Sequence, residues 1–513
     1  MKKLIKHLAL SIPTLILSVS CGADRLPRSL VPDRPSKAPD YFCTWNLQGY
    51  VCSCSSNEAQ REALNERNLF GNGSCENWLE AFPEIRMDLD FVMDDSWDIP
   101  QGQNAPSNNP YLGTVILDTT RFPSYVGSPA QRLGKLVRDV KNKGWRGLGG
   151  WICAQEPEGR GITDTAAFWK ARLQEADSAG FTYWKVDWGT QARNGQWRRM
   201  ISELGREYAP GLWIEHALDE RFIAFSDVYR TYDVENVISQ PTTIQRVADM
   251  LAYQPESDAR AIVNCEDEPY IAAGLGCAIG VMRHQFTGNF PDGLQDFAFP
   301  PVGRNIKMRR DEVIRGVRWH RIAEPFGVGG EYKVDPNKLE DAWILDDRET
   351  WYYWGEGRQK GDTLRAAAPA RVSRGLQLPE TIGETGPDRP YLLASRYPNG
   401  AVAIAAIGRG LGRQYISVPV NVEQVLPDWE YPIGIFGRFG SLTLVFPNLP
   451  EANKLVVLGQ DLAADSAVNI TRQVIIDGNK LILSQELIDK IGRQKVSPND
   501  KSDPGLVIRI FER

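Results

Sequence analysis

Between residues 41 and 330 the hydrophobic pattern switches repeatedly between two textures. Short, nearly continuous apolar runs rich in β-forming residues alternate with longer stretches whose apolar positions recur every three to four residues. The short runs predict strands over Tyr41–Asn46, Leu89–Asp94, Gly147–Cys153, Phe181–Asp187, Leu212–His216, Val228–Asp233, Ala261–Glu266 and Cys277–His284. The longer stretches predict helices over Ala130–Lys143, Thr165–Ala179, Gly195–Tyr208 and Ile244–Ala252, with Thr163 and Asp164 punctuating one helix start. Alternation of this kind is the signature of βαβ units. Eight strands over about 290 residues match a (β/α)8 barrel, the TIM-barrel fold of the α/β class. A doubly wound open sheet would want a Gly-rich phosphate loop after its first strand, and Trp45-Asn46-Leu47-Gln48-Gly49 is not one.

After a last amphipathic stretch at Arg309–Pro325 the texture changes. Short strands separated by turn residues are predicted at Glu349–Trp354, Pro390–Tyr397, Ala401–Ala406, Gln414–Pro419, Ser441–Val445, Leu455–Gly459, Val474–Ile476 and Leu506–Phe511. They read as a C-terminal antiparallel β-sandwich over residues 336–513, following a barrel over 41–335.

The first 21 residues have a different character. Lys2, Lys3 and Lys6 precede a short apolar run, Leu8 to Val19, broken by Pro13 and ending at Ser18-Val19-Ser20-Cys21-Gly22. The run is too short for a stable bilayer span. Small residues before a Cys resemble a bacterial lipoprotein processing site, which implies a signal peptide over 1–21 and lipidation of Cys21. The Pro-rich run 22–40 would then be a tether holding the chain to a bacterial envelope membrane. The alternative is an ordinary cleaved leader and free secretion.

Composition narrows the partners. The chain carries 59 basic and 65 acidic residues, a formal charge of −6, without basic tracts, so nucleic acid is not an expected partner. Fifteen Trp and seventeen Tyr suit the apolar faces of carbohydrate, although large aromatics also fill cores. Cys43, Cys52, Cys54, Cys75, Cys153, Cys265 and Cys277 follow Cys21. Export permits a bridge from Cys75 to Cys52 or Cys54, whereas Cys153 and Cys265 read as buried thiols. Cys-x-Cys spacing and four His give no zinc site, and no metal or cofactor is expected.

The most informative segment is Tyr183-Trp184-Lys185-Val186-Asp187-Trp188-Gly189. Side chains alternate along a strand, so Lys185 and Asp187 share one side, about 6–7 Å apart. The carboxyl end of a barrel strand is where catalytic groups are displayed. Five of the eight strands end in or beside a carboxylate: Asp94-Asp95, Asp187, Glu215, Asp233 and Glu266. Converging acids raise one another's pKa values, with Lys185 and Arg230 available to oppose them. Carboxylate pairs without a nucleophile–His pair point to glycoside cleavage, and a metal site is the second reading of so many oxygens.

Phe91-Val92-Met93-Asp94-Asp95-Ser96-Trp97 resembles the "DDGW" strand end of α-galactosidase-type enzymes, glycoside hydrolase families 27 and 36. In the family's order follow Asp118-Thr119-Thr120-Arg121-Phe122-Pro123, Gly144 through Trp151, Tyr183–Asp187 ("Y-x-K-x-D") and Tyr229–Asp233, after an opening Trp45-Asn46. The match spans about residues 41–330, and the run 397–404 resembles the family's trailing β-domain. The resemblance implies a retaining exo-acting enzyme for oligo- or polysaccharides ending in α-galactosyl or related sugars. It implies Asp187 as nucleophile and Asp233 as acid/base. Asp94, Asp95 and Lys185 would bind sugar hydroxyls, Lys185 also favouring ionised Asp187. Glu215 and Arg230 would sit near the 2-hydroxyl, and Trp45 would stack on the sugar.

Several positions depart from the family pattern. Asp187-Trp188-Gly189 replaces Asp-Asn-Cys or Asp-Met-Asn, and Trp188, just outside the strand, is expected to contact substrate. Arg230 and Asp233 are one residue closer than is common, which leaves Asp219, Asp227, Glu235 and Glu266 as alternative acids. Ser96 replaces the Gly of "DDGW". Substrates with α-N-acetylgalactosamine, β-L-arabinopyranose or α-glucan ends stay open, as does a non-catalytic carbohydrate-binding relative. Trp97, Trp151 and Trp184 read as packing, Asp118 as a turn or helix cap, and His284 as either structural or substrate-facing. Oligomeric state is not legible.

Overall fold

The computed structural model describes residues 26–51, 57–71, 77–103, 110–232, 238–282, 309–345 and 359–513. Eight strands form the first sheet: β1 Tyr41–Cys43, β2 Asp90–Met93, β3 Gly147–Ile152, β4 Tyr183–Val186, β5 Trp213–His216, β6 Val228–Arg230, β7 Ile262–Asn264 and β8 Gly280–Val281. Every neighbouring pair from β1 to β7 is parallel, and β1 also pairs in parallel with β8. A parallel bridge between Asn264 and Ala278 joins β7 to the chain entering β8 and closes the ring. This is the (β/α)8 barrel.

The eight strands fall where the apolar runs predict them, and all but β5 stop earlier. Trp45 and Asn46 begin a helix, Trp45–Val51, instead of extending β1. Asp94, Asp187 and Glu266 stand one or two residues past the ends of β2, β4 and β7. The surrounding helices follow local rules. Ser128 and Gln131 form a reciprocal capping box on Pro129–Asn142, which buries Leu133, Leu136, Val137 and Val140. Asp164 caps Thr165–Ala179, and Asn194 caps Gly195–Tyr208.

Among the described residues the C-terminal region holds three sheets. The largest runs in the order Val468–Asn469, Leu455–Asp461, Gly505–Glu512, Ile433–Gly437, Val402–Ile407, Tyr391–Arg396, Arg371–Arg374, Tyr332–Val334. One of its faces packs Leu392, Ile404, Ile435 and Ile508 against Val422, Leu442 and Leu481 of a five-stranded sheet, the sandwich core. Its other face places Leu393, Ala405, Phe436 and Val507 in the barrel's own core, with Ile271, Leu275 and Trp319. A Cβ on Gly274 of the helix Pro269–Leu275 would stand 2.9 Å from that of Ala405 and 3.0 Å from that of Leu393, so helix and sheet meet in direct contact.

The sandwich is mixed where antiparallel pairing was expected. Four pairings are parallel: Lys338–Ile344 with Arg409–Gly412, Arg371–Arg374 with Tyr391–Arg396, Val402–Ile407 with Ile433–Gly437, and Val420–Val425 with Phe439–Val445. In each case intervening chain crosses to another sheet or loop before returning. Apolar patterning marks a strand without naming its neighbour. The expected strand Glu349–Trp354 lies outside the described residues.

The described part of the expected tether is instead a packed strap. Arg28 O accepts from Ala467 N at 2.8 Å, Leu30 N donates to Gln460 Oε1 at 2.6 Å, and Ser36 N donates to Asp88 Oδ1 at 2.7 Å. Leu30, Val31 and Ala38 are buried, because this polar stretch carries enough apolar surface to cover the seam between the two domains. Asp40 then accepts from Ile279 N at 2.8 Å and meets His320 Nδ1 at 2.6 Å.

A buried ion pair also locks barrel to sandwich. Arg315, on the helix Arg310–Trp319, donates to both carboxylate oxygens of Asp461 at 2.9 and 3.1 Å. Removing one partner strands the other charge in a dry interface. Asp461→Ala is therefore expected to cost about 3–5 kcal/mol in urea denaturation. Unfolding should remain one transition, because the two domains share a sheet; two separate transitions would contradict the common core.

Candidate active site

Alternation along β4 turns Lys185 and Asp187 toward the barrel axis at its carboxyl end, as the pattern requires. They do not serve each other, however. Lys185 Nζ reaches across to Asp94 Oδ2 at 2.7 Å, where the Cys43 thiol also donates at 2.8 Å. Burial pushes the Asp94 carboxyl up, but Lys185 and the thiol outweigh it and hold it below the usual range. Asp187 takes a different cation: Arg230 Nη2 lies 2.6 Å from its Oδ1, while the Trp151 indole N–H donates to Oδ2 at 2.9 Å.

Arg230 is fully buried and meets three carboxylates. Besides Asp187, its Nη1 donates to Glu215 Oε1 at 3.1 Å, and its Nε stands 3.6 Å from Glu266 Oε1. Glu215 is further engaged by Tyr183 OH and Asn264 Nδ2, both at 2.8 Å. It belongs behind the site as the anchor of Arg230, away from the cavity surface where sequence reasoning put it. Arg230 likewise works from behind, through Asp187 and Glu266.

Asp95 is claimed by Arg61 Nε at 2.8 Å and Ser96 Oγ at 2.7 Å, and burial raises its pKa. Ser96 holds a left-handed φ of 85°, a conformation suited to the glycine usual at this motif position. Arg61 then covers one face of Trp188, 5.5 Å from the ring centroid, and Trp151 packs against the same indole at 5.4 Å. Gly189 makes this possible. With φ at 146°, a Cβ there would lie 2.5 Å from the Ala154 carbonyl oxygen, and the Trp188 carbonyl accepts from Ala154 N at 2.8 Å.

These groups line a cavity of about 130 Å3 bounded by Trp45, Asp94, Asp95, Trp151, Lys185, Asp187, Trp188, Tyr232, Glu266 and Met282. Of its lining residues, Glu266 has a buried carboxyl oxygen, Oε2, without a hydrogen-bond partner among the described residues. Buried polar groups are ordinarily satisfied, so this oxygen is a place where a polar ligand can complete the bonding.

Glu266 stands out among the acids. Burial is the largest influence and pushes its carboxyl up to about 7; Arg230 and Lys185 oppose, while Glu215 and Asp267 reinforce. Of the other alternative acids, Asp219 caps a 3-10 turn and pairs with exposed Arg221. Asp227 precedes β6, at the barrel's opposite end, and accepts from Ile214 N. Asp233, Glu235 and His284 lie outside the described residues, as do Cys21, Cys52, Cys54 and Cys75. Tyr232, the residue before Asp233, lines the cavity with φ at 61°.

Trp151 corrects its reading as packing alone, since its N–H holds Asp187; Trp97 and Trp184 are wholly buried. Asp118 Oδ1 accepts from Thr120 N and Arg121 N, a turn cap. Cys43, Cys153, Cys265 and Cys277 are buried and outside any disulfide among the described residues. Tyr41, Trp151, Tyr232 and Met282 escaped sequence reasoning. Only Trp151, ending its strand beside β4, carried a positional signal. Among the described residues no group of three or more His, Cys, Asp or Glu is arranged to hold a metal ion.

No family model matches the chain. No curated protein matches it. Similar solved structures include α-galactosidase I from Mortierella vinacea, at 11% identity and a TM-score of 0.37, covering 92% of this chain and 96% of that one. A GH27 β-L-arabinopyranosidase from Geobacillus stearothermophilus is similar at 9% identity and a TM-score of 0.38, covering 92% and 96%. An Anoxybacillus α-amylase is similar at 6% identity and a TM-score of 0.40, covering 92% and 98%.

The raised Glu266 pKa has a stability consequence. The folded state keeps a proton that the unfolded chain releases above about 4.5, so native stability falls as pH rises from there to about 7. Glu266→Gln carries no such penalty. In denaturation experiments it should match wild type near pH 4 and exceed it by about 3 kcal/mol at pH 8. Equal stability of the two proteins at pH 8 would contradict the buried neutral acid.

Proposed function

We propose that this protein is a retaining, exo-acting glycoside hydrolase of the α-galactosidase type, cleaving terminal α-galactosyl or related sugars through a glycosyl-enzyme on Asp187. The observation that carries the reading is the placement of Asp187. Its carboxylate meets a small cavity at the carboxyl end of the barrel, oriented by the Trp151 N–H and Arg230, with a second, separate pair in Lys185 and Asp94. A nucleophilic carboxylate needs a fixed direction of attack and a stabilised negative charge, and this arrangement supplies both.

In the first step Asp187 attacks the anomeric carbon as the glycosidic C–O bond breaks, and the acid/base gives its proton to the departing oxygen. That role is assigned to Asp233, which follows cavity-lining Tyr232. In the second step the same residue takes a proton from water, which displaces Asp187 from the sugar. Lys185, Asp94 and Asp95 bind sugar hydroxyls, and Trp45 and Trp188 offer apolar faces to the ring. Arg230, held by Glu215, offsets the charge that leaves and returns to Asp187.

Kinetics on aryl α- and β-glycosides of galactose, N-acetylgalactosamine, arabinopyranose and glucose test this. Asp187→Asn should lose at least about 10³-fold in kcat on the preferred substrate. Asp233→Asn should lose activity mainly on poor leaving groups and recover it with added azide as a glycosyl azide. An active Asp187→Asn enzyme would sink the mechanism, and a wild type that binds sugars but cleaves none would make this a binding barrel.

We further propose that Cys21 is lipidated and anchors the protein to a bacterial envelope membrane. Cys21→Ser should then move the protein from the detergent phase to the aqueous phase on cloud-point partitioning. Unchanged partitioning would leave an ordinary exported enzyme.

A further inference from the structure

We infer that Glu266 is a substrate-contacting, specificity-determining residue: its carboxylic acid O–H donates a hydrogen bond to a hydroxyl of the sugar held against Asp187. This rests on the glycosidase reading above and extends it to a third carboxyl group of the same site.

The geometry makes the assignment. Glu266 is 1% exposed, yet it lines the cavity, and among the described residues its Oε2 has no hydrogen-bond partner. Every element packed around it contributes a group. Tyr41 OH, from β1, lies 3.4 Å from Oε1, and Arg230 Nε, from β6, lies 3.6 Å from the same oxygen. Lys185 of β4 attracts its charge, while Glu215 of β5 and neighbouring Asp267 repel it. Lys185 is bonded to Asp94, and the single charge of Arg230 is drawn at shorter range to Asp187 at 2.6 Å and Glu215 at 3.1 Å. Glu266 is the third claimant on one cation, so it is the carboxyl that keeps a proton, with its pKa pushed up to about 7. A buried acid proton without an acceptor is costly, and a sugar hydroxyl in the cavity removes that cost.

Calorimetric titration with D-galactose, L-arabinose and their monodeoxy analogues tests the contact without requiring turnover. One monodeoxy analogue should bind wild type about ten-fold more weakly than its parent sugar. In Glu266→Ala that ratio should fall towards one, whereas Glu266→Gln, which keeps a neutral donor, should retain it. Wild-type affinity should decline as pH rises through about 7, where the donor proton is lost, and Glu266→Gln should lose this dependence. Ratios in Glu266→Ala equal to wild type for every analogue, in a protein of unchanged melting temperature, would overturn this inference alone. Wild type that neither binds these sugars nor hydrolyses any glycoside would overturn the glycosidase reading and this inference with it.

Discussion

One guanidinium organises the site. Arg230 sits in a dry barrel interior against Asp187, Glu215 and Glu266, a single positive charge among three acids. Charges so placed have lost their water and interact far more strongly than on a surface. The excess acid cannot be left ionised at no cost, and the three carboxyls divide by their partners. Glu215 has three further hydrogen-bond donors, Tyr183, Asn264 and Tyr41, and holds Arg230 in place. Asp187 has a second donor and the cavity. Glu266 has the longest ion-pair contact and keeps a proton to about 7. Three carboxyl groups thereby acquire three different environments from differences in neighbours alone, and the proposed roles of Asp187 as nucleophile and Glu266 as neutral donor build on that difference.

Such an arrangement holds only if the strands that carry it cannot move apart. Asp187, Arg230 and Glu266 come from or just beyond β4, β6 and β7, and the β7 side of the ring closes through the Asn264–Ala278 bridge and backbone hydrogen bonds from Cys265, Asp267 and Ala278. That seam is reinforced from outside. The helix Pro269–Leu275, leaving β7, is pressed onto the large C-terminal sheet, and Arg315 and the 26–40 strap tie the same region to Asp461, Gln460 and Ala467. The sandwich therefore has a structural part in the site, whatever it binds.

The sequence foretold strand positions well because barrel strands are buried on both sides and read as short apolar runs between capped helices. It foretold Asp94, Lys185 and Asp187 because carboxyl ends of barrel strands face one mouth. Pairing was not legible. Lys185 shares a strand face with Asp187 yet bonds Asp94, since the barrel's curvature brings β2 within reach of a long side chain. Glu215 and Arg230 bond each other behind the cavity surface, because strand position alone does not fix depth along the barrel axis. Trp151 and Tyr232 were missed for the opposite reason. A single aromatic carries no periodic signal that separates a cavity wall from core filling. In the C-terminal region, strand neighbours depend on crossovers between sheets, which local pattern does not encode.

The departures from the α-galactosidase pattern now share one physical setting. Gly189 lets the chain after Asp187 press onto Ala154, which swings Trp188 against Trp151. Arg61 closes over the outer face of Trp188 and takes Asp95 as its partner, with Ser96 as second donor. Asp95 is thus already bonded on both oxygens, and Trp188 stands on the other side of Arg61. A carboxylate has about four acceptor sites, so a sugar hydroxyl at Asp95 shares it with Arg61 and Ser96. Preference at this wall therefore turns on Arg61 and Trp188 together, and on Gly189, whose missing side chain lets them meet.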